Sequence, residues 1–219
     1  GLVAKKYIAD KGSDKIDQLI FLGTPQLGAP KAFKVLMFGD DMSYGFDIVT
    51  IKDIKVKIGI LSSITAKYIS QNMPSVYELL PSGEYVSNNG SYVSNQISES
   101  LKSELNYDQT KNLMIEKGRN SLMFPFAENL HSSIDDLDLS NIKSYNFVGC
   151  GSDTIGKISL TQKLSWKNLF LKPTDDYELG YTDGDTTVPL VSASKTTGSE
   201  MFYVNKISHG ALPASQSVI

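Results

Sequence analysis

Asp183-Gly184-Asp185-Thr186-Thr187-Val188-Pro189-Leu190 is an acidic turn that runs directly into an apolar step, and Ser208-His209-Gly210 follows it near the end of the chain. A carboxylate buried at Asp185 can accept the N–H of an imidazole, fix its tautomer, and leave the second ring nitrogen free to take a proton from a nucleophile. His209 suits that part. It follows the strand-like Met201-Phe202-Tyr203-Val204 and precedes a glycine, so a loop at a sheet edge can present its ring to a cleft. A solvated turn is the competing reading of Asp183–Asp185. A calcium loop fares poorly, because a helix-loop-helix site starting at Asp183 needs glycine where Val188 stands and glutamate where Ser194 stands.

The other histidine, His131, lies beside Ser132 and Ser133 in a helical stretch and reads as a surface or cap residue. No G-x-S-x-G elbow occurs in the 219 residues, so the sharp strand-to-helix turn that exposes a nucleophilic serine is missing. The single cysteine, in Gly149-Cys150-Gly151, ends an apolar run. It reads as a packed thiol at a strand end, with no second cysteine for an internal disulfide.

Away from this pair, Leu2–Asp10 has helix formers at i,i+4 spacing and a stop at Lys11-Gly12-Ser13. Ile16–Leu22 reads as a short buried strand running into an irregular loop, Gly23-Thr24-Pro25 to Gly28-Ala29-Pro30. From about Ala32 to Ile134 the patterning is helical and lacks strand-helix-strand alternation. Ile51, Ile54, Ile58, Leu61 and Tyr68 share a helical face, although Ile54, Val56, Ile58 and Ile60 also fit a period of two; continuation past Leu61 favours helix. Val93, Ile97, Leu101 and Leu105 recur every four residues, and Leu113–Leu130 reads as a helix disturbed at Pro125. Ile142–Val148 alternates as a strand, Asp176–Tyr181 as a turn or edge segment, and Met201–Val204 as a last strand. The whole is α/β, divided into a core segment at 1–31, a mainly helical insertion at 32–140 and a second core segment at 141–219.

A 41% apolar content is ample for a core, and a net charge of −3 offers no basic surplus for a phosphate backbone, so nucleic acid is not an expected partner. Apolar runs such as Leu19–Leu22 fall far below the roughly 20 residues that cross a bilayer, so no transmembrane segment is expected. Gly1 is not an initiator methionine and the chain stops soon after His209. Both ends read as cut, and no compartment is assigned.

Taken in order, these segments resemble the lecithin:cholesterol acyltransferase-like lipase branch of the α/β-hydrolases. Gly1-Leu2-Val3-Ala4 resembles the end of a family elbow G-H-S-x-G-G-L-V-A. Leu22–Pro30 resembles L-G-T-P-x-x-G-S-P, and Pro74–Pro81 resembles the cap segment P-S-x-x-x-L-L-P. Asp183–Pro189 matches D-G-D-G-T-V-P with Thr186 in place of glycine. The order of elbow, loop, cap, acid and histidine is the chain order of these hydrolases.

The resemblance implies the C-terminal half of an α/β-hydrolase sheet with a large, mainly helical cap. It implies Asp185 as acid, His209 as base, and a serine about three residues before Gly1. The implied activity is lipid ester hydrolysis or acyl transfer without metal or cofactor. Thr24, Pro25, Tyr77, Leu79 and Leu80 are the candidate substrate contacts, and transient contact with a lipid surface is expected, with Trp166 a further candidate. The oxyanion donors fall upstream too, so the 219 residues alone are expected to fold poorly and to be inactive. A non-catalytic binding member of the fold, and an enzyme that deacylates lipid anchors or cleaves amides, are the alternatives.

Overall fold

The computed structural model describes residues 1–40, 45–51, 54–59, 62–97, 103–164, 173–216 and 218. Leu61, Leu101 and Trp166 lie outside the described residues. The helix expected at the start is α1, Leu2–Lys11, ended by Gly12 at φ +80°. It leads into strand β1, Gln18–Leu22. Two later strands, β6 (Lys143–Cys150) and β9 (Glu200–Asn205), complete a parallel sheet of order β1-β6-β9. The register runs from Gln18↔Lys143 to Leu22↔Phe147, and from Tyr145↔Glu200 to Cys150↔Asn205. Strict parallelism makes all three strands end on the same side, which is where open α/β sheets place ligands. α1 packs toward this sheet through Ile8, which clusters with Phe21, Leu139 and Ile142.

Between β1 and β6 the chain forms α2 (Lys31–Phe38), β2 (Gly45–Ile51), β3 (Ile54–Gly59), α3 (Ser63–Ser70), α4 (Pro74–Tyr77) and α5 (Gly83–Asn89). It continues through β4 (Val93–Asn95), β5 (Ser103–Leu105), α6 (Tyr107–Glu116) and α7 (Phe124–Ile134). Two expectations are corrected here. Ile54–Gly59 is a strand paired antiparallel with β2, and helix begins only at Ser63, where the Ser62 hydroxyl caps the Thr65 N–H. Val93 and Leu105, spaced for a helix face, instead lie on two paired strands in the register Val93↔Leu105. A spacing of four is also an even spacing, so it satisfies a strand as readily as a helix, and pairing decides. The long helix expected over Leu113–Leu130 is two helices, with Pro125 in the first turn of α7, where its missing N–H costs nothing.

The feature absent from the sequence reading is a long hairpin, β7 (Ser152–Leu164) and β8 (Pro173–Gly184). It leaves the end of β6 at once, pairs β7 with β4, and builds a second sheet of order β5-β4-β7-β8. Its Ile155, Ile158 and Leu160 close the largest apolar core, with Phe33, Leu36, Tyr77, Tyr92 and Phe124. Residues after 141 therefore serve both sheets. After β8 the short helix α8 (Leu190–Ala193) precedes β9. Among the described residues no helix is long and apolar enough to cross a membrane.

Candidate active site

Asp185 is the residue immediately after β8, and it sits where the hairpin returns to its own base, in a bridge with Ser152. Its side chain is 1% exposed. Burial of a carboxylate requires donors for both oxygens, and both are supplied. Oδ1 accepts the N–H groups of Thr187 and Val188 at 3.0 and 2.7 Å, and Oδ2 meets His209 Nδ1 at 2.8 Å. The His209 backbone N–H donates to the Asp185 carbonyl at 2.7 Å, so main chain and side chain tie the two loops together. Thr186 takes φ +78° so that its neighbours' N–H groups can converge on the carboxylate. Its own N–H is held by Thr154 Oγ1 at 2.8 Å.

His209 opens a 3₁₀ turn, His209–Ala214, behind Ser208. Leu212 of that turn is fully buried and anchors it. The His209 side chain is 37% exposed and lines an open cleft of about 670 Å³, walled by Leu2, Val3, Thr24, Pro25 and Leu79 among others. With Nδ1 bound to Asp185 Oδ2, Nε2 is the nitrogen left for chemistry.

Backbone fit around the pair is close. At Gly23, which follows β1 with φ +58°, a Cβ would stand 2.8 Å from Asp185 Oδ2, 3.1 Å from His209 Nδ1 and 2.7 Å from Leu212. At Gly149 in β6 a Cβ would meet the Asp185 Cβ at 2.5 Å. Gly1, at the head of α1, packs on Thr24, where a Cβ would lie 2.2 Å away. The ends of β1, β6 and β9, the foot of the hairpin and the head of α1 thus meet at one place.

Of the residues singled out in the sequence, Asp185 and His209 are hydrogen-bonded partners, and Thr24, Pro25 and Leu79 line the cleft with His209. Tyr77 and Leu80 do not reach it. Tyr77 is fully buried, donates its hydroxyl to Gln71 O, accepts from Asn120 N–H, and packs edge-on against Phe124. Leu80 joins the same core. One-turn geometry explains the split, since α4 ends at Tyr77 and neighbouring residues then face opposite ways. The sequence reading missed Lys6, Tyr7, Asp10, Ser75, Glu78 and Leu130 as cleft residues. Tyr7 and Val3, exposed apolar residues one turn apart on α1, were the signal available.

His131 is not a surface residue. It is buried on α7, with Nδ1 2.7 Å from Asp135 Oδ1 and Nε2 3.0 Å from the Glu78 carbonyl. Burial and the nearby Asp183 carboxylate push the Cys150 thiol up, away from the reactive thiolate. Among the described residues, no three His, Cys, Asp or Glu side chains group to hold a metal ion.

The family model for lecithin:cholesterol acyltransferase matches residues 5–146, which run from α1 through the elements between β1 and β6 into β6. That match ends before Asp185 and His209, whose pairing stands on the geometry above. No curated protein matches the chain. A crystal structure of the Tle4–Tli4 complex shares the fold with a TM-score of 0.66 at 12% identity, covering 100% of this chain and 55% of the other. The chain therefore spans about half the length of that relative.

Proposed function

From the premise that this chain belongs to the lecithin:cholesterol acyltransferase family, we propose that Asp185 and His209 are the acid and base of a serine-type lipid ester hydrolase or acyltransferase. The nucleophilic serine belongs to the residues preceding Gly1. The observation that carries this reading is the buried Asp185 carboxylate bonded to His209 Nδ1, with the ring open to an apolar-walled cleft. The close seat of Gly1 on Thr24 supports it, because it brings the head of α1 to the same cleft.

In the proposed reaction His209 Nε2 takes the serine proton as Oγ bonds to the ester carbonyl carbon. The tetrahedral intermediate collapses, the ester C–O bond breaks, and the imidazolium returns the proton to the departing alkoxide. Asp185 stabilises the imidazolium while it lasts. Water or an acceptor hydroxyl then attacks the acyl carbon as His209 takes its proton, the serine Oγ–acyl bond breaks, and the imidazolium returns the proton to serine Oγ. Leu79, Pro25, Leu2 and Val3 offer the acyl chain an apolar wall.

The test is turnover of acyl esters by the protein that includes the residues N-terminal to Gly1. Asp185→Asn or His209→Ala is expected to lower kcat by about 10⁴-fold, while residues 1–219 alone show no turnover. Near-normal turnover in both variants would overturn the assignment.

A further inference from the structure

A depression of about 710 Å³ lies between α2, α3, the turn after α6 and the start of β8, and it shares no wall residue with the cleft at His209. Asp175 of β8 is in its wall, and the ~3.3 Å rise per residue of a strand puts that carboxylate roughly 30 Å along the arm from Asp185. Its charges are unbalanced. Lys67, Lys117 and Arg119 line it against Asp175 as its one carboxylate.

Asp175 is taken by Lys117 Nζ at 2.7 Å. Asp40, just beyond α2, is engaged by the hydroxyls of Ser63 and Tyr177. Among the described residues, Lys67 and Arg119 therefore have no carboxylate of their own. Arg119 is buried and fixed by main chain: Nη1 donates to the Leu36 carbonyl of α2 at 2.8 Å and Nη2 to the Lys117 carbonyl at 3.2 Å, while Nε has no partner among the described residues. Carbonyl dipoles hold that charge in place without cancelling it. Burial first, and then the Arg119 charge, push the Lys67 ammonium below its ordinary value, against the opposing pull of Asp175. An anion entering here relieves this repulsion and meets donors suited to phosphate oxygens.

The remaining wall is apolar. Ile64 and Tyr68 of α3, 73% and 68% exposed, stand with Phe38 of α2 beside the cations. The volume exceeds that of a bare oxyanion and falls within the roughly 300–1,000 Å³ of small-molecule sites. We propose that this depression binds a small organic phosphate, with the phosphate among Lys67, Lys117 and Arg119 and the apolar body on Tyr68 and Ile64. Such a ligand joins α3, the turn after α6 and the foot of β8 through one anion, and it is independent of the chemistry at His209.

The test is calorimetry with phenyl phosphate and with inorganic phosphate, at fixed ionic strength, on the protein that includes the residues N-terminal to Gly1. Phenyl phosphate is expected to bind several-fold more tightly than inorganic phosphate. Lys67→Gln is expected to weaken both about tenfold, Lys67→Arg to restore them to within about threefold, and Tyr68→Ala to remove only the difference between them. Both side chains stand on the outer part of α3, and Arg119 is left in place because its loss would also free the Leu36 carbonyl. Vesicles containing phosphatidate present the same group on a lipid, and Lys67→Gln is expected to leave their cosedimentation with the protein unchanged. Absence of binding, equal affinities for the two phosphates, affinities unmoved by Lys67→Gln, or a Lys67 requirement seen with the vesicles alone overturns the proposal.

Discussion

The molecule contains two histidine–aspartate pairs of nearly the same geometry. Nδ1 meets a carboxylate oxygen at 2.8 Å in His209–Asp185 and at 2.7 Å in His131–Asp135. They differ at the other nitrogen. That of His209 faces a cleft, whereas that of His131 is closed by the Glu78 carbonyl at 3.0 Å, with both side chains only 9% exposed. One pair leaves a ring on an open cleft. The other is a clamp between α7 and the segment that carries Glu78 and Leu79. A His–Asp contact is thus a poor marker of catalysis until the remaining nitrogen has been followed.

The sharpest way to break the contrast is to disturb the first pair without removing it. Gly23→Ala puts a methyl group into the Asp185–His209 bond at a left-handed backbone position. It is expected to lower kcat/KM by at least about 10²-fold, measured on a soluble acyl ester.

His131→Ala should show the opposite profile. It strands the Asp135 carboxylate and the Glu78 carbonyl, and is expected to cost about 2–3 kcal/mol in urea denaturation. Its kcat/KM well below Tm is expected to fall by less than about tenfold, against about 10⁴-fold for His209→Ala.

A third test concerns Lys5, which is fully buried on α1 with no hydrogen-bond partner for Nζ among the described residues. Burial lowers its pKa to about 8, opposed by the charges of Asp135 and Asp136. Because the unfolded chain holds that proton up to its ordinary value of 10.5, Lys5 costs stability below about pH 8, and the cost fades as pH rises toward 10.5. Lys5→Met is expected to stabilise by about 1–3 kcal/mol at pH 7, with the difference in Tm closing as pH approaches 10. A constant difference would place its origin in packing.

The smallest expected effect is at Thr186. A β-branched residue at φ +78° is strained, and glycine relieves it, so Thr186→Gly is expected to add about 1 kcal/mol, read from Tm.

The contact between Asp185 and His209 was legible because its signals are local: an acidic turn before Val188-Pro189, and a histidine between Ser208 and Gly210. The strands β1, β6 and β9 were legible for the same reason, since β1 and β9 carry short apolar runs and β6 an apolar alternation. The hairpin was not. Ser152–Leu164 carries Gly156, Lys157 and Gln162, and Asp175, Asp176 and Glu178 crowd the returning strand, so neither arm advertises β structure. Pairing with β4 and burial of Ile158 and Leu160 make it a strand. Nothing in Leu2–Lys11 separates the buried Lys5 from the salt-bridged Lys6 either. That difference arises only where α1 meets α7.

The hairpin also links the two sheets at the pair. Asp185 stands at the foot of β8, an arm paired with β7, and β7 in turn is stitched to β4 in the second sheet. That arm leads directly into the residue that bonds His209 Nδ1. The Asp185–His209 bond is therefore held from both sheets, by the foot of the hairpin on one side and by the close seat of Gly149 of β6 on the other.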